Sequence, residues 1–125
     1  MKLVIPGILP GLNEYIEAER THRQKGAAMK RKAQRIVELC AKTQLRKFHP
    51  TGPVWMKYIW YEPNKRRDKD NISSFGRKVI QDALVKVGVL ENDGWAYVDG
   101  FSDRFKVDKK NPRIEIEILE VTKDE

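Results

Sequence analysis

The clearest periodicity lies near the C-terminus. Ile114, Ile116 and Ile118 alternate with Glu115 and Glu117, so a strand with one buried face is predicted over Arg113 to Val121. Ile72, Phe75, Val79, Ala83, Leu84 and Val87 recur every three or four residues, which predicts an amphipathic helix opened by Asp70 or Asn71 and ended by Gly88. From about Glu14 to Phe48 the composition is helical, with Asn13 as a cap and a joint near Gly26. Its long part carries the apolar stripe Met29, Ala33, Ile36, Val37, Cys40 and Leu45. Lys2 to Ile5 reads as a short strand ended by Pro6. Val54 to Tyr61 is a second strand, with Val54, Met56, Tyr58 and Trp60 on one side and Trp55, Ile59 and Tyr61 on the other. Apolar residues on both faces suggest an inner or covered strand. Tyr97 to Val107 is expected to be extended, after a turn at Glu91-Asn92-Asp93-Gly94. The order β-α-α-β-α-β-β predicts one α+β domain over residues 1–125, a mixed β-sheet packed against helices.

Composition narrows the class. The chain has 125 residues, 40% of them hydrophobic, enough for one modest core, so intrinsic disorder is not expected. A single cysteine, Cys40, excludes a disulfide framework and the usual thiolate zinc site, and two histidines, His22 and His49, argue against a His-rich metal site. No apolar run approaches the ~18–20 residues of a membrane span, and Pro6 and Pro10 break the N-terminal stretch where a signal peptide would lie. A reduced, cytoplasmic protein with no membrane partner is expected.

Charge changes the picture more. The formal net charge is +7, but residues 1–50 hold 11 Lys/Arg against 4 Asp/Glu, while residues 76–125 hold 9 against 11. A basic first half points to a polyanion, nucleic acid first, although basic surfaces also serve solubility alone. On the long helical segment Lys30, Arg31, Lys32, Arg35, Lys42, Arg46 and Lys47 fall outside the apolar stripe.

The candidate chemistry sits in carboxylates. Asp68 and Asp70, two apart in a loop feeding a helix, suit convergence on one hard cation, and Mg²⁺ needs only one or two carboxylates because it keeps waters. The adjacent Lys65, Arg66, Arg67 and Lys69 would hold a phosphate nearby. Asp93, in the turn after the same helix, is a candidate third ligand. The plainer alternative is that Asp68-Lys69-Asp70-Asn71 caps a helix and Asn92-Asp93-Gly94 makes a turn. At 100° per residue Asn71, Lys78 and Asp82 share a stripe; Lys78 either faces the metal loop or forms an ordinary i,i+4 pair with Asp82.

Taken together, Arg66-Arg67-Asp68-Lys69-Asp70-Asn71, Lys78-Val79-Ile80-Gln81-Asp82-Ala83-Leu84 and Gly88-Val89-Leu90-Glu91-Asn92-Asp93 resemble the RusA family of Holliday junction resolvases. Leu9-Pro10-Gly11-Leu12-Asn13-Glu14-Tyr15 resembles the family's N-terminal segment, and the final strand fits its ending. The resemblance implies a homodimer that cuts four-way DNA junctions with Mg²⁺, for which Mn²⁺ is a possible substitute. It implies Asp68, Asp70 and Asp93 as metal ligands and Lys78 as the catalytic lysine. One departure stands out: the interval from Asn71 to Lys78 is about one helical turn longer than in the family pattern, and Ser74 occupies the nearer position. The basic residues of the first half, Lys32 and Arg35 among them, are expected to bind DNA arms through phosphates. Trp55, Ile59 and Tyr61 are candidates for a dimer contact or for core packing, and Trp95, Tyr97 or Phe101 for a wedge against unpaired bases. The rival readings are a non-catalytic binder of branched DNA and a nuclease preferring flaps or forks.

Overall fold

The computed structural model describes residues 1–121, and seven elements follow in the expected order. They are β1 (Lys2–Pro6), α1 (Leu12–Thr21), α2 (Arg23–Gln44), β2 (Val54–Glu62), α3 (Lys69–Lys86), β3 (Val98–Val107) and β4 (Arg113–Glu120). The strands form one mixed sheet in the order β1-β4-β2-β3. β4 pairs antiparallel with β1 and β2, whereas β2 and β3 run parallel. The parallel pair needs a long crossover, which α3 provides. The chain is therefore an α+β domain, as its periodicities imply.

The core lies on one face of the sheet. Tyr58 and Trp60 of β2 sit in register with Ile116 and Ile114 of β4, and Leu3 of β1 with Ile116. These side chains, with Val54, Met56 and Ile118, are buried against Ala33, Val37 and Ala41 of α2 and Ile72, Phe75, Val79, Ile80, Ala83 and Leu84 of α3. Within the α2 stripe the structure makes one exchange: Ile36 is 40% exposed and Ala41 takes a core place. The second face of β2 is covered by its own neighbours. Trp55 lies over Gly100, and the Tyr61 ring lies 3.7 Å beneath the Arg113 guanidinium carbon, so Trp55, Ile59 and Tyr61 are half-buried.

Three helix boundaries differ from the sequence expectation. The joint between α1 and α2 falls at His22, whose ring accepts the Gln24 amide, four residues before Gly26. Gly26 instead lies inside α2, where a Cβ would come within 2.4 Å of the Glu19 side chain; it permits close packing of α1 on α2. The cap of α1 is Gly11, whose amide donates to Glu14, and Asn13 lies in the first turn. The cap position of α3 is Asp68, so Asp70 and Asn71 belong to the helix itself.

The open face of the sheet carries a charge ladder in which Glu115 accepts Lys2 at 2.7 Å and Arg113 at 2.7 Å. The hydrogen bond from Lys2, then that from Arg113, holds the Glu115 carboxyl below its ordinary value of 4.5, against an opposing effect of burial. A depressed native pKa contributes stability above the unfolded value that is lost as pH falls through the native one. Stability is therefore expected to decline below about pH 4.5, and Glu115→Gln to flatten that limb in denaturant titrations at pH 3 to 6. An unchanged slope would remove Glu115 from the acid response.

Candidate active site and nucleic-acid surface

The loop from β2 into α3 must place charged residues beside a helix start, and a buried ion pair fixes it. Arg67 donates from Nε to Glu62 at 2.9 Å and from Nη2 at 2.8 Å, a two-point pair in which Glu62 closes β2 and is buried. The same guanidinium donates to the Leu9 carbonyl at 3.0 Å and reaches Glu14 at 3.5 Å. The Asn71 side chain then accepts the Asn13 amide at 2.8 Å, and a Cβ at Gly11 would stand 2.6 Å from its oxygen. The N-terminal loop, the end of β2 and the start of α3 are locked together by these contacts. Arg67, expected from the sequence to meet DNA, spends its donors inside the protein.

This lock holds open a cleft of about 940 Å³ lined by Glu62, Lys65, Arg67, Asp68, Lys69, Asp70, Asn71, Phe105 and Lys106, among others. Asp68 makes no capping bond with its side chain, and among the described residues neither it nor Asp70 has a side-chain hydrogen bond or ion pair. Both are exposed at the N-terminal end of α3, where the helix dipole favours negative charge. Two free carboxylates beside open solvent match the donor set of Mg²⁺, which retains several waters. Arg66 lies outside the cleft lining, its amide bound to the Asn64 side chain.

Lys78 and Asp93 form a second cluster. The Lys78 ammonium is 2.8 Å from Asp93 and 3.1 Å from Asp82, and Asp82 is also 3.1 Å from Lys30 of α2. The hydrogen bond from Asp93, then that from Asp82, holds the Lys78 pKa above its ordinary value, and the same contact lowers that of Asp93. Lys78 is thus a fixed cation. Asp70 and Lys78 are separated along α3 by about 12 Å at 1.5 Å per residue. Asp68 and Asp70 line the same cleft, and Lys78 pairs with Asp93, but neither Lys78 nor Asp93 lines that cleft. Among the described residues no three His, Cys, Asp or Glu side chains converge into a metal-binding set. Ser74, at the nearer position, turns its hydroxyl back to the Asp70 carbonyl at 2.7 Å.

Of two further features, one had no signature in the sequence pattern and the other showed there only as cations along one segment. Asp103 of β3 accepts Trp60 Nε1 at 2.9 Å and Arg77 at 2.6 Å, clamping α3 to the sheet. No periodicity links residues so far apart. A groove along α2 is lined by Lys30, Arg31, Arg35, Lys42 and Lys86 with Glu38 as its one acid, flanked by Tyr15 and Leu39. Arg35 lines it as expected, whereas Lys32 is exposed outside it. The Lys30–Asp82–Lys78 chain joins this groove to the second cluster.

No helix among the described residues is long and apolar enough to cross a membrane. A protein-family model described as Endodeoxyribonuclease RusA matches residues 10–119. No curated protein matches the chain.

Proposed function

Since the chain belongs to the RusA endodeoxyribonuclease family, we propose that it is a Mg²⁺-dependent nuclease of branched DNA. In this reading a homodimer in the cytoplasm resolves four-way Holliday junctions by paired symmetric nicks during recombination and repair. The observation that carries the catalytic part is the pair Asp68 and Asp70, without side-chain hydrogen bonds or ion pairs among the described residues, in a cleft rimmed by Lys65, Lys69 and Lys106. In this reading they hold the Mg²⁺, with Mn²⁺ as a substitute. Bound there, the ion supplies a more acidic water and positive charge toward the scissile phosphate. Asp93 is the proposed third ligand, a role that requires its release from Lys78 or its supply by the second subunit. Lys78 offers its positive charge to a phosphate oxygen where negative charge grows. Lys65, Arg66 and Lys69 flank the cleft to receive the backbone, while Arg67 maintains its shape. A two-fold dimer matches paired cuts, because symmetric strands need symmetric sites.

The test is incubation of the purified protein with a synthetic four-way junction, a fork and a linear duplex in Mg²⁺. Paired nicks at symmetry-related positions of the junction are expected. Junction binding without cleavage in Mg²⁺ or Mn²⁺ would favour a non-catalytic binder, and stronger cutting of the fork would replace the junction as substrate.

The α2 groove belongs to the same reading. Arg31 and Arg35 lie one helical turn apart, so a double Arg31→Glu, Arg35→Glu variant is expected to weaken junction and duplex binding alike. The slope of log K against log salt should fall by about two, at roughly 0.9 per lost phosphate contact. Slopes equal to wild type across 50 to 200 mM salt would take DNA out of this groove.

A further inference from the structure

The three tryptophans have different fates: Trp60 is buried, Trp55 covers Gly100, and Trp95 is 99% exposed. The Trp95 ring is presented by a cross-braced turn. Asn92 Oδ1 accepts the Gly94 amide at 2.8 Å, and the Gly94 carbonyl accepts the amides of Tyr97 at 3.0 Å and Val98 at 2.9 Å. Tyr97 donates its hydroxyl to Glu91, and Asp93 ties the turn to α3 through Lys78. These contacts brace the turn and not the indole itself, which is left as a large apolar ring in water, an unfavourable state for the isolated chain.

We propose that Trp95 stacks on an unpaired base at the DNA branch point and thereby sets the preference for branched DNA over duplex. The inference rests on the branched-DNA reading above and adds the residue that selects the branch. Trp95 stands two residues beyond Asp93, whose carboxylate holds Lys78, so the Cα atoms of the two are at most ~7 Å apart. A nucleotide whose phosphate meets Lys78 therefore has its base within reach of the ring. The flanks argue for a base rather than a protein surface. Glu91, Asn92, Gly94 and Ala96 are exposed and form no apolar patch, whereas an aromatic anchor between proteins sits in a desolvated pocket. A base offers a π-face to one ring without requiring such surroundings. Linear duplex keeps its bases paired and stacked, so it gives Trp95 nothing to stack on; a branch point does.

The experiment uses the full chain in EDTA, with a four-way junction carrying 2-aminopurine beside the branch and a linear duplex of the same sequence. Wild type should perturb the 2-aminopurine emission and prefer the junction. Trp95→Ala should lose junction affinity by about tenfold together with the emission change, while duplex affinity stays the same. Trp95→Phe should restore most of both. The ring is 99% exposed, so the thermal midpoint should not move. A wild-type preference that survives Trp95→Ala overturns the inference alone. So does a change of molecular mass in sedimentation, which would assign the ring to a second copy. A wild type with no junction preference sinks the branched-DNA reading and the inference with it.

Discussion

Asp70→Asn is expected to abolish cleavage of a four-way junction in Mg²⁺, by at least about a thousandfold, or about 4 kcal/mol at 1.36 kcal/mol per decade. Junction binding should persist or tighten, because one negative charge leaves the phosphate-facing rim. The variant should also fold as wild type does. The Asp70 carboxylate makes no hydrogen bond or ion pair among the described residues, so the isosteric amide removes no native contact. Asp103→Asn is the contrasting case, since its carboxylate holds Arg77 at 2.6 Å and a thermal shift is expected there. Single-turnover cleavage, filter binding and thermal unfolding on the same preparations separate the three effects. Cleavage within tenfold of wild type would exclude Asp70 as a metal ligand. Titration with Mn²⁺ followed by electron paramagnetic resonance gives a readout independent of activity: ion binding should be lost in an Asp68→Asn, Asp70→Asn double variant.

Arg67→Ala is expected to cause a large loss of stability. Its removal leaves Glu62, with a side chain only 7% exposed, as a charge without its partner, and also strips a donor from the Leu9 carbonyl. Breaking such a pair from one side costs about 3 kcal/mol, roughly a 10 °C drop in Tm for a chain of this size. Arg67→Lys should recover little, because an ammonium cannot satisfy both Glu62 oxygens and Leu9 at once. The double variant Arg67→Met, Glu62→Leu should be much less destabilised than Arg67→Ala, since no charge is stranded. Arg67 is also expected to behave unlike a DNA contact. In the more stable double variant the salt dependence of junction binding should match wild type, although cleavage falls as the cleft loses its brace. A salt slope reduced by about one would instead identify Arg67 as a phosphate ligand.

Much of this protein was legible along the chain. Alternation at Ile114, Ile116 and Ile118 and the three-four spacing from Ile72 to Leu84 report which side of each element meets the core, because burial acts on every turn of a helix and every second residue of a strand. Those periods are local, so the sequence determined the element order, the α+β class and the core faces. The clustered cations and the Asp68, Asp70, Lys78 and Asp93 pattern are likewise chain properties, and they carried the family resemblance that the match over residues 10–119 bears out. Helix ends were less legible. Asn13 and Asn71 have capping chemistry, but tertiary structure put Gly11 and Asp68 at the caps and joined the two asparagines to each other instead. Only the tertiary structure decided that Arg67 braces a cleft, that Asp103 clamps α3 from β3, that Lys78 and Asp93 pair apart from Asp68 and Asp70, and that Trp95 stands in water. These depend on how separate segments are placed in space, and contacts such as Lys78 with Asp93, 15 residues apart, or Arg77 with Asp103, 26 apart, leave no period in the sequence.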